Sequence, residues 1–157
     1  QQIEENTACP MLVVFLPLTD TAAFRLLIPQ LEEKLRIRPG YRFRAIVGYQ
    51  ESGFEAFEMA ITRYRFSSCV LSNAFINNEK LVDLLNENNS EFLKRMTIFI
   101  ETPDKGHWAP GNGHTHILLR DLDVQHEYRV MEGGGCFEWM LRGLPDAIRA
   151  VSVRFHR

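Results

Sequence analysis

Short apolar runs alternate along this chain with segments of helical periodicity, and this alternation constrains the fold more than any other feature. A strand, a helix and a further strand in succession favour parallel pairing, with right-handed crossovers and helices on both faces of the sheet. The predicted strands are residues 11–16, 41–49, 66–71, 96–100 and 127–131. The sequence therefore predicts an α/β fold with a mostly parallel, five-stranded sheet.

Apolar residues at helical spacing predict the helices that connect these strands. They cover a segment from about residue 21 to the Pro39-Gly40 break, then 54–61, 79–85 and 137–151. Residues 102–116, rich in Gly, Pro and His, are predicted to form a loop. Together these elements predict a flavodoxin-like three-layer sandwich with the sheet in the middle.

Composition bounds the class of protein. The chain has 157 residues, 45% of them hydrophobic, and a formal net charge of −2. These values exclude a disordered, collagen-like or coiled-coil chain, and they give no support to a polybasic nucleic-acid binder. We predict a leader or linker over residues 1–10 and one domain over 11–157. Because the chain begins with Gln1, we expect it to have been excised from a longer protein.

Cysteine and hydropathy patterns indicate the compartment. The three cysteines, Cys9, Cys69 and Cys136, form no C-x-x-C pair, so a disulfide scaffold or zinc finger is not expected. Cys69 lies in an apolar run and is predicted to be a buried, small hydrophobic residue. No apolar run reaches the roughly 18 residues of a membrane span. The prediction is a cytoplasmic domain without direct membrane insertion, which could still be the cytosolic part of a larger or membrane-bound protein.

Motifs that would identify an enzyme are absent. The turn at residues 17–21 has no glycine, so it lacks a dinucleotide or phosphate-binding loop, and no G-x-S-x-G sequence occurs. The sequence predicts no catalytic residue and no cofactor. His107, His114 and His116, with His126 as a fourth candidate, could be metal ligands. In a Gly/Pro-rich loop their spacing constrains little, so a solvated loop is favoured and no metal site is predicted.

One family resemblance emerges from the order of three stretches. Residues 71–79 match in spacing a strand that ends in serine and is followed by an Asn-aromatic pair and a helix start. Phe137-Glu138-Trp139 opens the last helix, and residues 28–32 resemble the first helix of some Toll receptors. Over roughly 11–151 the chain resembles a divergent Toll/interleukin-receptor (TIR) domain. It departs from that family at residues 15–18 and in the short loop at 50–54.

The resemblance implies a non-enzymatic adaptor or receptor module that acts by homotypic protein–protein interaction in innate immune signalling. Its partners would be other TIR-domain proteins, with self-association and without nucleic acid. Leu84 takes the position of the glutamate with which enzymatic TIR domains hydrolyse NAD, so catalysis is not expected. The implied partner-binding residues are Gln50, Glu51, Ser52, Gly53, Phe54, Arg63 and Arg65.

Alternatives remain open at this stage. Phe54 is either an exposed apolar anchor for a partner or the first core residue of the second helix. A small-molecule or nucleotide-binding flavodoxin-like domain would use the polar residues at the carboxyl ends of the strands, where open α/β sheets bind ligands. An NAD-hydrolysing TIR enzyme would need Glu79, Asp83 or Glu87 as its acid.

Overall fold

The sheet is parallel throughout and its strands follow one another in chain order. The structure, a computed structural model, describes residues 11–14, 21–63, 66–86 and 90–155. In these residues the strands are β1 Ala45–Tyr49, β2 Ser68–Ser72, β3 Thr97–Pro103 and β4 His126–Met131, in the order β1-β2-β3-β4. The register places Val47 opposite Val70, Val70 opposite Phe99 and Phe99 opposite Glu127.

Helices flank both faces of this sheet, which gives the predicted three-layer α/β arrangement. They are α1 Thr21–Lys34, α2 Gly53–Glu58, α3 Asn78–Asn86, α4 Ser90–Leu93, α5 Ala109–Asp121 and α6 Phe137–Phe155, and a π-helical turn, Met59–Arg63, continues α2. The larger core cluster lies on one face and includes Phe57, Leu71 and Leu119. On the other face, Val70 and Phe99 pack against Ala147 and Val151 of α6. Successive strand residues point to opposite faces, so the buried β2 and β3 serve both layers.

Two segments of this fold, residues 11–14 and most of 102–116, differ from the prediction. Residues 11–14 do not form a strand, and Leu12, Val13 and Val14 are exposed; the rest of the predicted first strand and the 1–10 leader lie outside the described residues. The predicted sheet had five strands, whereas the described part of the chain forms four. The predicted loop at 102–116 is confirmed only over residues 104–108; the rest of it is the end of β3 and most of α5. Pro110 lies in the first turn of α5, where its missing N–H has no intrahelical partner to lose.

Other predictions are confirmed. The helix at 54–61 exists as α2 and its π-helical continuation, and α1 passes through Pro29 and ends before Pro39. Cys69 is fully buried, and this burial raises the pKa of its thiol well above the usual range. No helix in the described residues combines the length and the apolar character that crossing a membrane requires.

Candidate functional site

The sharpest turn of the fold connects β1 to α2 at the carboxyl edge of the sheet. Gln50, directly after β1, has a backbone φ of +50°. Glycines flank it because the chain passes close to its neighbours. A Cβ on Gly48 would lie 2.8 Å from the Cβ of Ala56, and a Cβ on Gly53 would lie 2.3 Å from the Cβ of Ala74. Contacts this short exclude a side chain at either position without local rearrangement.

This turn has the form of a nucleophile elbow, a tight strand-to-helix turn that presents its apex residue at the top of the sheet. The apex residue here is Gln50, whose carboxamide has no group that can act as a nucleophile. The nearby Ser52 is already engaged: its hydroxyl donates to the Tyr49 carbonyl and accepts the Tyr49 N–H, both at 2.8 Å. Ser52 therefore closes the turn locally.

The side chains at this edge converge on the backbone carbonyl of Gly135, just before α6. The Tyr49 hydroxyl donates to it at 2.9 Å, Asn73 Nδ2 at 3.1 Å and Gln50 Nε2 at 3.3 Å. Gly135 itself is buried and has a φ of +77°. A main-chain oxygen therefore occupies the position that a general base would need in order to contact the side chain of residue 50.

Asn73, which follows β2, holds the middle of the site. Its φ is +44°, its N–H donates to the Glu101 carbonyl at 2.9 Å, and only 3% of the residue is exposed. Its side-chain Oδ1 has no hydrogen-bond partner among the described residues. Such an atom in a native fold calls for an explanation.

A buried acid lies beneath this edge. Glu101 on β3 is 1% exposed and accepts a 2.5 Å hydrogen bond from the Ser72 hydroxyl. Burial raises the pKa of Glu101, and the bond from Ser72 opposes that shift only in part. Its Oε2 is pressed against α6, because a Cβ on Gly143 would lie 2.2 Å from it. Glu101 is thus a packed, inaccessible carboxyl group.

The rim of the site is acidic and carries one exposed thiol. Burial, followed by the charges of Cys136, Glu138 and Glu51, raises the pKa of Tyr49, so its hydroxyl stays protonated and donates. Cys136 is exposed. A bond from the backbone N–H of Glu138 and a second from Cys136 lower the pKa of the Glu138 carboxyl.

The residues predicted to bind a partner do not form one exposed patch. Glu51 is exposed, whereas Phe54 is 5% exposed and belongs to the core. The alternative that Phe54 is a core residue is therefore confirmed, and the exposed anchor is wrong. Arg63 lies in the π-helical turn and Arg65 lies outside the described residues.

The other sequence-predicted candidates lie away from this edge or within the core. His114 and His116 sit on α5, about 200° apart around the helix, so they do not share a face. Instead, His116 Nδ1 lies 2.7 Å from His126 Nε2, and the ring of His107 packs edge-on against that of Trp108. In the described part of the chain no three metal-binding side chains come together. Leu84 is 7% exposed and packs in the core.

The chain is similar in structure to several solved esterases and serine hydrolases. The chain matches a ferulic acid esterase at a TM-score of 0.84 and 18% identity, over 98% of this chain and 74% of that one. It matches an S-formylglutathione hydrolase from Staphylococcus aureus at 0.71 and 14%, and a fluorophosphonate-binding serine hydrolase from the same organism at 0.72 and 12%. These two matches cover 84% and 83% of this chain, but only 60% and 62% of the matched proteins. No family model and no curated protein sequence matches the chain.

These matches overturn the resemblance to a TIR domain, and with it the adaptor function, the innate-immune role and the TIR-domain partners. The shared features were too general: a polar stretch after β2 and an aromatic start of the last helix occur in other parallel α/β folds. The sequence did not predict this elbow because the G-x-S-x-G pattern requires serine at the apex. The signal that could have found it is Gly48-x-Gln50-x-x-Gly53 between a strand and a helix.

Proposed function

We propose that this chain is an α/β-hydrolase-fold binding domain that does not hydrolyse esters through the turn between β1 and α2. The single observation that carries this proposal is Gln50 at the apex, with φ +50° and its amide bonded to the Gly135 carbonyl. Covalent ester hydrolysis on such a turn requires a nucleophile paired with a base. A carboxamide supplies neither.

The surroundings of Gln50 support the same proposal. A serine placed at this position would face the Gly135 carbonyl. This oxygen accepts hydrogen bonds, but it is not basic enough to remove the proton of a hydroxyl group. The Tyr49 hydroxyl and the Asn73 amide, which share that carbonyl, are neutral donors. Donors of this kind bind oxygen atoms, so the edge is suited to recognition rather than to proton abstraction.

Ester hydrolysis by a different group is the second candidate, and the exposed Cys136 beside Gly135 favours it. Its thiol bonds to Glu138, which could act as its base. The lowered pKa of Glu138 makes that carboxylate a weak base, so this candidate ranks second.

A hydrolysis assay with a labelling experiment tests the proposal. The protein is incubated with p-nitrophenyl acetate, and separately with a fluorophosphonate followed by intact-mass measurement. The S-formylglutathione hydrolase from Staphylococcus aureus serves as the active control. We expect no turnover above buffer and no adduct. A phosphonylated serine within residues 45–58 would refute the proposal, and turnover lost in Cys136→Ser would establish the second candidate.

A further inference from the structure

The donors around the Gly135 carbonyl outnumber what one carbonyl can satisfy. Three side-chain donors, from Tyr49, Gln50 and Asn73, point at this one oxygen. A carbonyl oxygen has two lone pairs, so the third donor has no lone pair of its own. The cluster therefore has capacity for a second acceptor or for a better-placed one.

Two buried polar atoms beside the same segment have no partner among the described residues. One is Asn73 Oδ1, on a residue 3% exposed; the other is Trp139 Nε1, on a residue 0% exposed. The Asn73 amide lies between two glycines, since a Cβ on Gly106 would be 3.0 Å from its Oδ1 and a Cβ on Gly135 2.3 Å from its Nδ2. The Trp139 indole lies under Gly133, with Cδ1 2.8 Å and Nε1 3.5 Å from a Cβ placed there. An acceptor and a further donor are thus unpaired around residues 133–135.

We propose that Tyr49, Gln50, Asn73 and Trp139 form a binding site for a neutral amide ligand. The ligand's carbonyl oxygen accepts from the donor that the Gly135 carbonyl leaves without a lone pair, and its N–H donates to Asn73 Oδ1. The peptide carbonyl of Gly135 is the present acceptor of all three donors and shows which chemistry they bind. The inference rests on the proposed absence of ester hydrolysis, because a bound carbonyl next to a nucleophile would react.

An amide suits this site better than an ester or a carboxylate. Only the amide carries both an acceptor for the donors and a donor for Asn73 Oδ1. The donors are uncharged, and Glu51, Glu138 and Asp104 stand nearby: the first two act on Tyr49, and Asp104 Oδ1 accepts the Gly133 N–H at 2.8 Å. Two cationic residues adjoin Gly133: Arg142, and Lys105, whose backbone N–H donates to the Gly133 carbonyl. This balance of charge opposes an anion.

The segment Gly133–Gly135 has no side chains, so only its backbone would have to adjust to a ligand. Gly133 and Gly135 have φ values of +132° and +77°, and Gly134 is exposed with no atom within 4 Å of a Cβ placed on it. The hydrogen bonds that hold its start are the Gly133 N–H to Asp104 and the Lys105 N–H to the Gly133 carbonyl. We therefore expect room for a ligand beside Gly135 to come from backbone rotation at glycines, which tolerate it.

Nitrogen-edited NMR of the full chain tests the site. N-acetylglycinamide, which is neutral, is titrated against the side-chain amide signals of Gln50 and Asn73 and the indole signal of Trp139. N-acetylglycinate is titrated in parallel as the anionic counterpart. We expect saturable shifts of all three signals with the neutral compound and weaker binding of the anion. Absence of saturable shifts, or equal binding of the anion, would overturn the proposal.

A matched pair of variants distinguishes the site from a non-specific effect. Tyr49→Phe removes one donor and is expected to weaken binding about three- to tenfold, the value of one hydrogen bond. Tyr41→Phe makes the same change at an exposed position on another part of the surface and should leave the affinity unchanged. An unchanged affinity in Tyr49→Phe would contradict the proposal. Gln50→Ala removes another donor and should weaken binding in the same way. Its binding is followed through the side-chain amide signal of Asn73 and the indole signal of Trp139. Ester turnover is measured separately, so failure of amide binding and failure of the proposed function remain distinguishable.

Discussion

Replacing Gly53 with alanine should destabilise the fold, because the turn between β1 and α2 is pressed against the segment after β2. The new Cβ would lie 2.3 Å from the Ala74 Cβ, 2.9 Å from the Ala74 Cα and 3.0 Å from the Phe75 carbonyl oxygen. Two of these atoms belong to the backbone, so no rotamer change relieves the contact. One of the two chain segments must move apart.

The size of the effect follows from two opposing contributions. Overpacking a filled site costs about 1–3 kcal/mol, and contacts with rigid backbone place this site at the upper end of about 3 kcal/mol. Gly53 has helical backbone angles, φ −62° and ψ −53°, so alanine recovers up to about 1 kcal/mol of helix propensity. The expected net loss in the free energy of unfolding is about 2 kcal/mol. For a domain of this size that corresponds to a Tm lower by about 4–8 °C.

Urea unfolding followed by circular dichroism provides the measurement. Gly53→Ala should lower the midpoint and leave the slope m unchanged, since the same surface is exposed on unfolding. Gly134→Ala is the matched control, because no atom lies within 4 Å of a Cβ at that position, and it should change stability little. If Gly53→Ala were as stable as the unmodified protein, the close approach of the turn to Ala74 would be incorrect.

Three further predictions concern other positions of the fold. Burial raises the pKa of Glu101, so above about pH 4.5 the folded state keeps a proton that the unfolded chain loses. The free energy of unfolding should therefore fall as the pH rises from about 4.5 through the raised pKa of the folded state. Glu101→Gln should remove this fall in pH-dependent urea titrations, and an unchanged slope would contradict it. Gln50→Ser should stay inactive toward p-nitrophenyl acetate because no base accompanies it; turnover would show that a base is within reach. Leu119→Ala, at a fully buried position, should lower the free energy of unfolding by about 2–5 kcal/mol in urea, and a loss below 1 kcal/mol would refute tight packing there.

Sequence patterns predicted the elements whose burial is uniform. Strand β2 is buried at every position and β3 at nearly every one, and each contains a short apolar run, residues 69–71 in β2 and 98–100 in β3. Helix α5 was missed because its first turns contain Pro110, Gly111 and Gly113, residues that normally interrupt helices. Buried Asn112 compensates through a tertiary contact, because its amide donates to the Ala74 carbonyl, 38 positions away, as well as to the Trp108 carbonyl four residues before it. No local pattern reports such contacts.

The site itself was beyond the reach of pattern reasoning for a related reason. Tyr49, Asn73 and Gly135 are separated by up to 86 positions, and only the parallel sheet brings them to one edge. Residues 50–54 were selected as a partner-binding loop on the strength of a resemblance. The structure instead divides them between an apex residue, an exposed acid, a closing hydroxyl and two buried positions. Residue type alone could not assign these roles, because each depends on a neighbour distant in sequence.

A chain can share its fold with esterases and still lack a nucleophile at this elbow. The reason is that packing contacts, rather than the side chain of residue 50, hold the backbone of the turn between β1 and α2. Gly48 approaches Ala56, Gly53 approaches Ala74, and the Gln50 carbonyl accepts the Phe75 N–H at 2.7 Å. None of these contacts involves the side chain of residue 50. The left-handed backbone at that position costs about 1–2 kcal/mol for any residue other than glycine, and the surrounding contacts offset it whichever side chain is present. The apex can therefore change from a reacting group to a binding group while the scaffold remains intact, so this fold does not by itself imply hydrolysis.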